Sequence, residues 1–220
     1  MRIDPFYSRQ PEAGFVADLS GETALGGFAE WNDAVNNPAV KDFLVTMQNG
    51  ALLIEKSAAG SAGSIVANGL SLSGDTATLE MTLAAPENAE RSLGFSLRLL
   101  FGDLDLQLAS ALGTNGRLRF KQENGKYFDI AMPSEAAVHV AFALNFAKGE
   151  VDIFVDGEVV LSAARVKGLE RYTLADLDGF KLSFQSNFTG SLLLRDVAML
   201  TGALPSFSNP NADDEPLPIS

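Results

Sequence analysis

Cysteine is absent from this 220-residue chain, so neither a disulfide framework nor a thiolate metal site is available to it. That fits a reducing compartment. Histidine occurs once, at His139, which excludes a histidine metal cluster. A hydrolytic triad would need that ring beside an activated serine and an acid, and no G-x-S-x-G elbow is present. Long apolar runs are missing too. Leu97–Phe101 and Val138–Phe146 fall far short of a membrane span, and Met1-Arg2-Ile3-Asp4-Pro5-Phe6 holds no apolar run of signal-peptide length. The expectation is a cytoplasmic chain, or one that leaves the cell by lysis or a dedicated machine. Positive charge is scarce: 16 Lys and Arg against 28 Asp and Glu give a net charge of −12. With no basic stripe, P-loop or dinucleotide fingerprint, nucleic acid and membrane surfaces are not expected partners.

What the chain does have is period-2 alternation. Thr76–Ala84 sets Ala77, Leu79, Met81 and Leu83 against Thr76, Thr78, Glu80 and Thr82, the pattern of an antiparallel strand with one wet face. Ala137–Phe146 sets Val138, Val140, Phe142, Leu144 and Phe146 against Ala137, His139, Ala141, Ala143 and Asn145. Similar segments are Phe15–Leu19, Phe43–Met47, Ala51–Glu55, Leu93–Phe101, Asp105–Ala109, Arg117–Lys121, Tyr127–Ala131, Val151–Val155, Glu158–Ser162, Phe180–Gln185 and Ser191–Leu200. Asn49-Gly50, Asn124-Gly125 and Asp156-Gly157 are hairpin signals between them. One short helix is expected within Phe28–Val40, entered near Asn36-Asn37-Pro38. Many short strands punctuated by Gly and Asn, with no fixed repeat, predict an all-β antiparallel jelly-roll sandwich. A chain of this size buries roughly 70% of its unfolded surface, enough for one core.

The ends differ from the middle. Residues 1–14 are polar with Pro5 and Pro11, and residues 202–220 carry four prolines around Asp213-Asp214-Glu215. Such composition does not offset its own ordering entropy. The expected organisation is an N-terminal arm at 1–14, a sandwich domain at 15–201 and a C-terminal arm at 202–220. Phe6, Tyr7, Phe207, Leu217 and Ile219 would be the apolar anchors by which the arms hold neighbouring subunits.

Three segments also carry a family resemblance. Val138-His139-Val140-Ala141-Phe142, then Val151 through Gly157, then Gly190-Ser191-Leu192-Leu193-Leu194-Arg195-Asp196-Val197 resemble the concanavalin A-like jelly-roll superfamily. Its laminin-G-like members read roughly W-H-x-V-A, x-x-Y-V-D-G and G-x-x-x-x-D-x-V there. Phe28-Ala29-Glu30-Trp31 and Asn49-Gly50-Ala51-Leu52 are similar to the opening F…W…D-G-x-L, so the resemblance covers about residues 15–200. Ala137 replaces the usual tryptophan and Phe154 a common tyrosine. These motifs are turn glycines and core positions, and the superfamily includes lectins, glycan hydrolases and virion proteins.

Four side-chain sets bear on chemistry. Glu150, Asp152 and Asp156 echo the E-x-D-x-x-E strand of glucan hydrolases, but Phe154 interrupts the acids and the segment ends in a turn, so no catalytic residue and no enzyme is expected. Asp103, Asp105, Asp176 and Asp178 have D-x-D spacing and are the candidates for a structural calcium, the one cofactor considered. Tyr127, Tyr172 and Trp31 are the glycan-stacking candidates in a chain with one Trp and three Tyr against fifteen Phe. The arms point to protein partners. The expected function is a non-enzymatic structural or decoration module of a larger assembly such as a phage virion, the alternative being a carbohydrate-binding adhesion module.

Overall fold

The computed structural model describes residues 13–19, 24–32, 43–57, 62–84, 94–112, 117–131, 137–185 and 189–202. Hydrophobic alternation becomes strand along most of this length. In order the strands are β1 (Ala13–Val16), β2 (Ala29–Asn32), β3 (Phe43–Gln48), β4 (Ala51–Lys56), β5 (Gly63–Asn68), β6 (Thr76–Ala84), β7 (Phe95–Phe101) and β8 (Leu104–Leu112). They continue as β9 (Arg117–Lys121), β10 (Tyr127–Ala131), β11 (Val138–Asn145), β12 (Glu150–Val155), β13 (Glu158–Arg165), β14 (Gly179–Phe184) and β15 (Gly190–Thr201). No α-helix occurs among the described residues, only short 3-10 turns. The helix expected at Asn36-Asn37-Pro38 and the anchors Phe6, Tyr7, Phe207, Leu217 and Ile219 lie outside the described residues. No helix among the described residues is long and apolar enough to cross a membrane.

Every pairing is antiparallel. One sheet runs β13-β12-β11-β6-β15-β4-β3, with β1 added along β15; the other runs β10-β9-β8-β7-β14-β5-β2. Their inner faces pack as a sandwich, the all-β architecture expected. Leu52, Ile54, Leu79, Met81, Val140, Phe142, Ile153 and Leu194 from the first sheet meet Ile65, Phe95, Leu97, Leu99, Phe120, Phe180, Leu182 and Phe184 from the second. At one end Phe15 of β1 meets Phe28 and Phe180 edge-on, with ring centroids 4.8 and 5.5 Å away. The sheets are thereby fastened by rings from β1, β14 and the residue before β2.

Turn chemistry follows the sequence signals. Asp156 and Gly157, both at positive φ (49° and 85°), close the β12–β13 hairpin with the twist that a two-residue turn requires. The face of β6 read as wet is not wet at its centre: Thr78 and Glu80 are buried. Ala141 and Ala143 of β11 on one side and Ala198 and Leu200 of β15 on the other flank them, and Thr78 Oγ1 donates to the Gly202 carbonyl at 2.9 Å. Alternation reports which side chains are polar, and the neighbouring strands decide which are covered.

Candidate functional site

The outer face of the β10–β2 sheet carries the feature that a ligand could use. On β7, Phe95 and Leu97 enter the core and Ser96 faces the other way. Ser183 on β14 alternates likewise with Leu182 and Phe184, and Ser64 with the inward Ile65. The ladders then place these serines side by side. Asp129 on β10 pairs with Arg119 on β9, Arg119 with Ser110 on β8, and Ser110 with Ser96 on β7. Ser96 pairs with Ser183, Ser183 with Ser64 on β5, and Ser64 with Trp31 on β2. The serines in register cross β8, β7, β14 and β5, a row of about 14 Å at the usual strand spacing.

A bulge makes this alignment work. Between Leu97 and Arg98 the β7–β8 register slips, and Leu108 and Ala109 of β8 both turn into the core. Gln107 and Ser110 then both face outward across the extra residue. Because serine is short, the row lies low as a trough along the sheet, beside Val66, Lys181, Arg98 and Gln107 in the adjoining register positions, and Ser64, Ser183, Val66 and Lys181 line a concavity in it. A shallow concavity of about 530 Å³, its surface mainly apolar, opens over Ser64, Val66, Leu100, Lys181, Ser183 and Phe184, within the size range of ligand pockets. Ser64 and Ser96 are 8% and 2% exposed. Among the described residues neither hydroxyl has a side-chain hydrogen bond, and Ser64 lines the concavity.

Charge on this face runs against the chain's net −12. The basic side chains Arg98, Arg117, Arg119, Lys121 and Lys181 stand with two acids, Asp105 and Asp129. Each acid holds two cations. Asp105 accepts from Arg98 Nη1 and meets Lys181 Nζ at 2.8 Å. Asp129 takes Arg119 in a two-point pair, Nε at 2.8 Å and Nη2 at 3.2 Å, and Arg117 Nη1 at 3.2 Å. The hydrogen bond from Arg119 holds the Asp129 carboxyl below its ordinary value. For Asp105, partial burial pushes upward, and the bonds from Lys181 and Arg98 outweigh it. Both acids therefore stay ionised, and among the described residues one positive charge at each remains uncompensated.

Of the aromatic residues expected from sequence, Tyr127, on β10, is 54% exposed, with Arg119 Cζ 4.9 Å and Lys121 Nζ 5.9 Å from its ring centre. Trp31 occupies the register position at the far end of the serine row. Tyr172 is elsewhere: its ring stacks on Phe101 at 3.9 Å, with the planes 10° apart. The structure thus places Tyr127 and Trp31 on strands of one sheet and leaves Tyr172 out of it. The four calcium candidates are not gathered. Asp105 is held by Arg98 and Lys181, and Asp176 caps a 3-10 turn by accepting from Thr173 N and Oγ1 at 2.7 and 2.8 Å. Asp178 accepts from Gly102 N, and Asp103 sits exposed in the β7–β8 turn. No group of three or more His, Asp or Glu side chains among the described residues is placed to hold a metal. In the β12–β13 hairpin, Asp152 Oδ1 accepts from Ser162 Oγ and Ala163 N, and Asp156 Oδ1 accepts from His139 N.

On the opposite sheet, His139 lies with Nε2 3.9 Å from Glu80 Oε2. Burial holds its imidazole below the ordinary histidine value, against the pull of the Glu80, Asp196 and Asp156 carboxylates. The unfolded chain then binds more protons than the folded one just below that ordinary value, so stability falls as pH drops through that window. Thermal melts between roughly pH 7.5 and pH 5 should show this loss, and His139→Gln should flatten it; an unchanged slope in the variant would assign the effect to other groups.

No family model matches the chain, and no curated protein matches it by sequence. Solved structures do resemble it in fold. A sialidase matches over 85% of this chain and 18% of its own length, with TM-score 0.63 and 11% identity. The binding domain of botulinum neurotoxin DC, solved in complex with rat synaptotagmin II, matches over 88% of this chain and 49% of its own, with TM-score 0.54 and 10% identity. The same toxin domain in complex with SialylT gives TM-score 0.52, 10% identity and coverages of 88% and 48%. The chain spans half or less of each of these proteins. At such identities the likeness establishes a shared all-β sandwich and nothing finer.

Proposed function

We propose that this domain is a non-enzymatic carbohydrate-binding module of the concanavalin A-like jelly-roll kind, with its ligand seated in the serine trough. The observation that carries the reading is the in-register row Ser110-Ser96-Ser183-Ser64. Ser64, near-buried and without a side-chain partner among the described residues, and half-buried Ser183 open onto a concavity. A polyol is the ligand whose donors and acceptors such a floor would match. Like-folded binding domains solved in complex with SialylT and with synaptotagmin II support a binding role. The engagement of Asp152 across its hairpin and of Asp156 with the β11 backbone supports a role without catalysis.

The assembly reading depends on arms outside the described residues, so the trough outranks it. Binding of the full-length chain to a panel of neutral and acidic glycans tests the proposal. Binding to at least one class, retained in Tyr172→Ala, is the expected result. Silence across the panel would overturn it and turn attention to protein receptors or neighbouring subunits.

A further inference from the structure

Charges on the trough's banks narrow the class of sugar. Arg98 and Lys181 stand beside the row over β7 and β14, and Arg119 heads it on β9 with Arg117 and Lys121 on the same strand. Among the described residues each of the two stations retains one uncompensated positive charge, because a single carboxylate serves two cations. Arg119 turns Nε and Nη2 to Asp129, which leaves Nη1 with both hydrogens to donate. Arg98 and Arg119 are two strands apart across the sheet and two register positions apart along it, about 12 Å. One sugar ring does not span that distance. A chain with net charge −12 repels anions in general, so a basic face on it selects for an anion that fits.

Resting on the carbohydrate reading, we infer that the trough binds a linear acidic oligosaccharide, its hydroxyls on the serine floor and its carboxylate or sulfate groups at the Arg98–Lys181 and Arg117–Arg119 stations. Removing one station should cost roughly tenfold in affinity.

The experiment is titration calorimetry of the full chain with uronate-containing and sulfated oligosaccharides, alongside their carboxyl-reduced or desulfated counterparts and the acidic monosaccharides. The expected result is that the charged oligomers bind, that the neutralised ones bind at least about tenfold more weakly, and that Arg119→Gln and Lys181→Gln each lower affinity while Lys148→Gln, away from the trough, does not. Affinity should also fall with added salt. Equal binding of charged and neutralised oligomers overturns this inference and leaves the carbohydrate reading standing. Monosaccharide binding as tight as the oligomer's overturns the two-station form. Failure of every sugar removes the underlying reading itself.

Discussion

Phe180→Ala should destabilise the domain by about 3–5 kcal/mol, a large share of the roughly 5–15 kcal/mol that holds a domain folded. Phe180 is fully buried on β14, and its ring meets Phe15 and Phe28 edge-on at 5.5 and 5.9 Å. Removing the ring opens a cavity at the junction of β1, β14 and the approach to β2, and leaves only the Phe15–Phe28 contact of that cluster. Buried aromatic pairs are worth about 0.5–1.5 kcal/mol each beyond area alone. The backbone has little freedom to collapse into the space, because β14 is laddered on both sides, to β5 and β7. Urea unfolding would report the loss as a shifted midpoint with unchanged slope. Leu104→Ala is the matching control: that side chain is 60% exposed, and its removal should stay within about 0.5 kcal/mol. A Phe180→Ala midpoint as mild as the control's would mean that the cluster does not fasten the sheets.

Ser183→Trp should abolish or nearly abolish sugar binding while the domain stays folded. Ser183 sits mid-row between Ser96 and Ser64, half-buried and facing outward, so a large ring there fills the trough without entering the core. Tryptophan is well suited to a strand, which protects the fold. A central contact of an interface is typically worth about 2 kcal/mol or more, so the loss should reach roughly thirtyfold. The denaturation midpoint of the variant should match the parent's. Tight binding by a folded Ser183→Trp would move the site off this face. Tyr127→Ala should act more weakly, because Tyr127 lies on β10, beyond Arg119, and the row does not run over it.

Much of the fold was legible in the chain because its strands alternate cleanly. Thr76–Ala84, Arg117–Lys121 and Tyr127–Ala131 are strands over the spans that their pattern predicts. The first strand begins at Ala13, ahead of the alternation that starts at Phe15. β5, with the sequence Gly-Ser-Ile-Val-Ala-Asn, gives no such signal: small residues and one Gly mask its alternation. Asp105–Ala109 reads as a short strand because Leu108 and Ala109 break the period, whereas β8 runs on to Leu112 through the bulge. The site was less legible than the fold. Each serine taken singly is an ordinary outward residue of a strand, and Ser64 sits on the strand that the pattern hid. Their alignment depends on the β8–β7, β7–β14 and β14–β5 ladders, and the last two join segments distant in the chain, so no local motif records it. Stacking aromatics were the sequence's candidates for holding a sugar. Of these Tyr127 and Trp31 lie on the edge strands of this sheet, and Tyr172 turned to Phe101.

The serine row is assembled late in folding. Its members come from β5, β7, β8 and β14, so no short peptide fragment and no single hairpin contains it. The rungs on either side of β14 close only when strands far apart in sequence have found their partners, the slow class of event in chain folding. During refolding, ligand capture would thus return with the last long-range pairing and not with the first burst of secondary structure. Truncation inside the sandwich would erase the row outright, so any ligand capture that depends on it would gauge finished assembly of the chain.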